Sequence, residues 1–251
     1  MKYEKFLLPL GLIVLWQLVS ILEIVPRFKL PSPLEILVGL KELIQEGMPP
    51  GYLLHNHVLY SLYRVGLGYL AAVVLAIPLG LVLGWSEKVR GLVRPVIEII
   101  RPIPPLAWIP IAILWFGIGL QAAAFIIFLG AFFPILLNTI SGVRGVNPVY
   151  LDAARTLGTG EFSLIAKVLI PASLPMVLTG IRVGLGVGWM TLVAAELTGV
   201  RSGYGLGFMI MTARDLGRVD AILAGMAAIG LVGYLMDRTV LFLERKTLTT
   251  S

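Results

Sequence analysis

Arg182 and Glu196 interrupt one apolar stretch of this 251-residue chain. A charge held in hydrocarbon is costly, so such residues face a protein interior or a wet cavity and are candidates for handling a charged solute. Sequence leaves three readings for Arg182: a positive charge on the path of an anion, a side chain snorkelling to the membrane edge, or a partner of Glu98 or Asp237. Glu196, fourteen residues on, falls on nearly the same helical face and is placed to organise an outer gate or the loop at Gly205. His55 and His57 flank Asn56, an alternation that can bind metal, but no third ligand lies near in sequence and no metal site is expected. The other acids do not gather into an acid/base pair, and neither a metalloprotease helix nor a serine elbow occurs. No catalytic residue is expected, and the chain does not read as an enzyme. Zero cysteines exclude disulfides, thiol catalysis and thiolate metal sites.

The elements that must hold these residues are membrane elements. Hydrophobic residues make up 58% of the chain and charged ones 14%, far below the roughly 25% of a soluble domain. A water-soluble globule could not cover that much apolar surface, whereas lipid makes covering it unnecessary. The net charge of +6 is scattered and forms no stripe, which argues against a nucleic-acid partner. Apolar segments at 6–23, 57–85, 103–118, 121–142, 174–197 and 218–243 predict an all-α bundle of six spans in a single domain, 1–251. The first segment is expected to be a retained span within an N-terminal extension, 1–30, because its apolar core is long and no small-residue cleavage site follows before Pro26. Eleven Lys and Arg fall on the side of the termini and six on the other, so both termini are expected in the cytoplasm.

Between the first two spans, 31–56 predicts an outer amphipathic helix, with Ser32 and Glu35 as a capping box and Gly47 as the stop. In the third span Pro95, Pro102, Pro104, Pro105 and Pro110 each remove a backbone donor. Broken backbone at that depth needs protein cover or a wet cavity. The segment Val89 to Ile100 then reads as a surface helix, and the prolines as either a kinked packing element or the lining of a pathway that includes Pro104 and Pro105. Gly180, Gly184 and Gly188, four apart, predict close helix packing within the bundle or across a subunit interface.

The core, 57–245, contains a cytoplasmic loop, 143–173, that predicts two short helices. Asn147 caps the first, which runs to Leu157 before Gly158 stops it; Glu161 to Ile170 form the second, which Pro171 is expected to end. Leu151, Leu157 and Phe162 could fill a groove on a soluble partner, or the loop could pack beneath its own bundle.

This loop resembles a known motif. Asp152-Ala153-Ala154, Gly158 four residues on, and Val168-Leu169-Ile170-Pro171 match the Glu-Ala-Ala, three residues, Gly, nine residues, Ile, any residue, Leu, Pro pattern of binding-protein-dependent ABC importer permeases. Asp152, Val168 and Ile170 depart from it conservatively. The segments 101–119, 130–139 and 180–189, with Ala194-Ala195-Glu196 and Gly205-Leu206-Gly207, look like the nitrate, sulfonate, taurine and bicarbonate branch. The resemblance spans about residues 30–245 and implies the type I importer permease fold. It also implies a pathway between two permease copies, most simply a homodimer, with two ATP-binding subunits below and an extracytoplasmic binding protein that delivers a small anion or zwitterion. Within the loop it implies ATPase coupling through Asp152, Ala153, Ala154, Leu157, Gly158 and Phe162. The chain has no glycine-rich loop followed by Gly-Lys-Ser/Thr, so ATP and Mg are expected on the partner ATPase and no cofactor in this chain. A secondary transporter or a non-transporting scaffold subunit are the alternatives; the first would usually show an internal repeat and more buried acids.

Overall fold

A computed structural model describes residues 4–198 and 203–250, so Lys2 and Arg201 of the charge count lie outside the described residues. All the described elements are helices: α1 Glu4–Ile21, α2 Pro33–Gln45, α3 Leu54–Trp85, α4 Glu87–Ile100, a 3-10 turn Pro105–Trp108, α5 Ile109–Phe116, α6 Leu120–Arg144, α7 Pro148–Thr156, α8 Glu161–Leu164, a π turn Ile165–Leu169, α9 Ile170–Thr198, α10 Leu206–Asp215 and α11 Val219–Thr250. Four stretches are long and apolar enough to cross a membrane: Leu54–Trp85, Leu120–Arg144, Glu161–Leu197 and Val219–Lys246. A fifth arises if the pair Glu87–Ile100 and Pro105–Phe116, bent by 82°, is one broken span. The first apolar segment lies in α1, with Leu7–Ile21 as its described apolar stretch, so a count of six is not established.

Helix ends follow their local chemistry. Ser32 Oγ accepts from the Glu35 N–H at 3.2 Å and Glu35 Oε2 accepts from the Ser32 N–H at 2.6 Å, which closes the capping box of α2. Gly47 then turns the chain with φ +79°. Ser86 caps α4 through the Val89 N–H, and the proline cluster ends α4 at Ile100. One expectation fails: Pro171 does not end a helix. The chain is helical from Glu161 to Leu197, 37 residues in all, and Pro171 sits two residues beyond the end of the π turn. There the Ile170 N–H reaches back five residues to the Ile165 carbonyl. The wider turn absorbs a proline ring that would clash with the carbonyl four residues earlier in an unbroken α ladder.

The chain forms two compact units, Met1–Ser61 with Arg201–Val232, and Leu62–Val200 with Gly233–Ser251; α3 and α11 contribute to both. In the first, Trp16 Nε1 donates to the Pro31 carbonyl at 3.1 Å, and Arg218 bridges Glu42 and Asp220. His57, one of the two alternating histidines, is a buried strut. Its Nδ1 accepts from the Gly205 N–H at 3.0 Å, so its Nε2 carries the proton and donates to the Met48 carbonyl at 3.1 Å. Among the described residues no group of three His, Cys, Asp or Glu could hold a metal.

The second unit has α6 at its centre. Ala131, Ile135 and Leu136 of α6 pack with Ala72, Ala76 and Leu83 of α3, and Ala122, Ala123 and Ile126 pack with Ile109, Ala112 and Ala195. The glycine row of α9 packs against α6, which places the close approach within this bundle. A Cβ on Gly184 would stand 2.6 Å from Ile135 Cγ1 and 3.0 Å from the Ala131 carbonyl, so only glycine permits that contact. Leu7, Leu8, Leu70 and Val74 are among many apolar side chains left exposed, as a lipid-facing surface requires.

Candidate functional site

The loop helix α7 is capped at both ends by its own residues. Asn147 Oδ1 accepts from the Val149 N–H at 3.0 Å, and Pro148 occupies the first turn, where no donor is needed. At the other end the Gly158 N–H donates to the Arg155 carbonyl at 2.9 Å and the Thr159 N–H to the Ala154 carbonyl at 3.1 Å. These two bonds, with Gly158 at φ +78°, make a Schellman ending. Asp152 pairs with Arg155 at 3.4 Å, and Arg155 reaches Glu161 at 3.5 Å, which ties α7 to the start of the long helix. Leu157 is 85% exposed and Phe162 86%, while Ala153 is exposed and Ala154 half-buried. Leucine and phenylalanine held open by a rigid turn form a surface suited to filling a partner's groove.

Two buried or half-buried ion pairs anchor α9. Arg182 Nε donates to Asp237 Oδ1 at 2.7 Å and Arg182 Nη2 to Asp237 Oδ2 at 2.9 Å, a two-pronged pair with α11. Glu98, the other acid weighed for Arg182, instead accepts from Arg94 at 2.6 Å. Near the other end of α9, Glu196 Oε1 accepts from Arg64 Nη1 of α3 at 2.6 Å, and both side chains are buried. Arg64 was not singled out from sequence, although the signal that picked out Arg182, an ionisable residue within an apolar segment, applied to it equally. Helix α10 was also missed: it is short and rich in Met and Gly, and only the flanking Gly205 and Gly217 marked its ends.

Where α4 breaks from the 3-10 turn, a groove of about 380 Å³ opens between this break, α6 and α9. Pro105, Trp108, Pro134, Asn138 and Val183 are among its walls, and Arg101 stands at its edge. Pro105 therefore lines a cavity, as broken backbone in a membrane requires. Pro104 precedes it as the extended residue that opens the 3-10 turn. Asn138 turns its amide onto the Pro134 carbonyl at 2.8 Å. Arg182 adjoins the groove through Val183 in sequence but is not among its lining residues.

An all-helical membrane bundle with a rigid, outward-facing loop helix and a broken span beside a groove is the architecture of a transport chain. Residues 76–249 match the family described as binding-protein-dependent transport system inner membrane component, and the chain belongs to that family. It is 45% identical over 242 residues to a chain named as an ABC transporter permease in Methanocaldococcus jannaschii, covering 96% of this chain and 90% of that one. It is 38% identical over 238 residues to the taurine transport system permease protein of Escherichia coli, covering 94% and 85%. The bicarbonate transport system permease protein of Synechococcus elongatus is 35% identical over 256 residues, with 97% and 90% covered. Among solved structures, a chain of the MetNI methionine ABC transporter in an inward-facing conformation superposes with a TM-score of 0.68 at 21% identity, covering 79% of this chain and 97% of that one. The fold is that of a type I ABC importer permease, and the branch is the one read from the sequence. As a permease subunit the chain is not itself an enzyme.

Proposed function

We propose that this chain forms the translocation pathway of an ATP-driven importer for a small anion or zwitterion of the nitrate, sulfonate, taurine or bicarbonate class. An extracytoplasmic binding protein delivers the solute, and two copies of the chain meet around the path. ATP and Mg are bound by two separate subunits, which grip α7. Six spans with both termini in the cytoplasm put α7 on the ATPase side. One observation carries the reading: a helix capped at both ends presents Leu157 and Phe162 to solvent and leads directly into a helix long enough to span the membrane. The names of the relatives support the solute class, and the groove beside Pro105 supplies a protein-lined path.

The test is reconstitution with the ATP-binding subunits and the binding protein, followed by uptake of taurine, ethanesulfonate, nitrate and bicarbonate. Leu157→Asp with Phe162→Asp should leave the chain in the membrane and release the ATP-binding subunits during purification. Undiminished co-purification and uptake in that double variant would overturn the coupling role of α7.

A further inference from the structure

The arginines at the Arg144 end of the groove are not equally engaged. A second cavity of about 280 Å³ lies there, and Arg101 and Leu137 are walls of both it and the larger one. Four arginines line it. Arg90 donates to the Leu83 and Gly84 carbonyls and to Glu87, closing the end of α3. Arg94 is matched by Glu98 at 2.6 Å. Arg101 and Arg144 have no side-chain hydrogen bond or ion pair among the described residues, and each brings five N–H donors to the same small space. Ser141 also lines it, together with the Glu98 carboxylate that Arg94 engages and the apolar Leu83, Ile97, Leu137 and Ile140.

Two unmatched guanidiniums around one cavity repel each other and leave their donors to water. A bound oxyanion removes both penalties, because guanidinium geometry suits two-pronged contact with planar or tetrahedral oxygen sets. The volume suits a small solute: a water occupies roughly 30 Å³, so the cavity holds an ion of a few heavy atoms with its residual waters and is smaller than a drug-sized site. The apolar walls Leu83, Ile97, Leu137 and Ile140 strengthen the attraction, and the Glu98 carboxylate in the same lining is already engaged by Arg94. Arg182, by contrast, already has both prongs on Asp237.

We propose that Arg101 and Arg144, with the Ser141 hydroxyl, form a binding station for a small oxyanion at the Arg144 end of the groove. The proposal rests on the reading above only for calling that end cytoplasmic and for the solute class. A free solute is the occupant, because Arg101 and Leu137 are walls of both this cavity and the groove beside Pro105. The station holds the ion after it has passed the Pro105 break and before it leaves.

The experiment uses the full chain purified with its ATP-binding subunits in phosphatidylcholine nanodiscs. Phenylglyoxal modification of each arginine is read by mass spectrometry in sodium ethanesulfonate and in sodium chloride of equal ionic strength. Ethanesulfonate should slow modification of Arg101 and Arg144 by about threefold or more, as expected for charge-assisted two-pronged contact, and leave Arg94 unchanged. Arg144→Gln should abolish the protection of Arg101, and Arg144→Lys, which keeps a point charge but loses the fork, should restore part of it. Equal modification in the two salts would overturn the proposal, as would equal slowing of every arginine. Protection that follows added phosphatidylglycerol and ignores ethanesulfonate would overturn it too, by assigning the arginines to a lipid headgroup. Protection is read without transport, so protection here with no uptake in the reconstitution above would sink the importer reading alone, and uptake there without protection here would sink this station alone.

Discussion

At the scale of single residues, the decisive finding is which charges are matched. Arg182 lies well inside the stretch Glu161–Leu197, yet its pair with Asp237 makes it part of a neutral unit joining α9 to α11. A structural role predicts that Arg182→Met lowers the purified yield by stranding Asp237, and that Arg182→Met with Asp237→Leu restores it, since an unpaired charge costs more than an apolar replacement of the pair. A pathway role predicts a well-assembled Arg182→Met complex that has lost uptake, with partial uptake retained by Arg182→Lys. Yield, ATPase rate and uptake across these variants separate the two, and wild-type uptake in well-assembled Arg182→Met would remove the pathway role. The sequence marked Arg182 and Glu196 because a charge in an apolar run is visible locally. It could not choose their partners, which lie 55 and 132 residues away and depend on how the helices are packed. His57 shows the same limit: its partners were set by the fold around Gly205 and not by its neighbour His55.

At the scale of elements, caps were legible and continuity was not. Ser32 with Glu35, Asn147 with Pro148, and the glycine ends at Gly47 and Gly158 are encoded within a few residues, and each forms as the sequence implies. The fate of Pro171 depends on a π turn that no spacing announces. The Schellman ending at Gly158 gives a clean test. A Cβ there meets no atom within 4 Å, so any cost comes from the left-handed backbone alone. Alanine should loosen the end of α7 by about 1–2 kcal/mol, valine by more, and asparagine by little, because its side chain tolerates this conformation. Co-purification of the ATP-binding subunits and uptake should therefore fall in the order Gly, Asn, Ala, Val. Equal behaviour of all four would mean that the turn at Gly158 does not position the docking surface.

For the whole molecule, composition established the solvent and helix class, because apolar content this high leaves few other solutions. The count of spans was less legible. A helix bent by 82° can be read as one crossing or as a surface helix followed by a short one. Orientation is open to experiment, since a chain without cysteine accepts single reporters cleanly. Cysteine at Lys29, between α1 and α2, should react with an impermeant maleimide in intact cells, whereas cysteine at Thr156, on α7, should react only after the membrane is opened. The reverse pattern would place α7 on the side opposite any cytoplasmic ATPase and would defeat the proposed arrangement.

The π turn also sets a phase. From Glu161 to Leu197 the chain is one rod of about 55 Å at 1.5 Å per residue, and each residue added to or removed from such a rod rotates everything beyond it by about 100°. The direction in which Phe162 points, relative to the face of α9 that grips α6, is therefore written in the number of residues between Phe162 and Ile170. Residues 145–147 lie outside any helix, so a change of length there does not impose this fixed rotation through a continuous helical ladder. Within the π turn, one residue more or less would rotate Phe162 away from its present direction relative to α9.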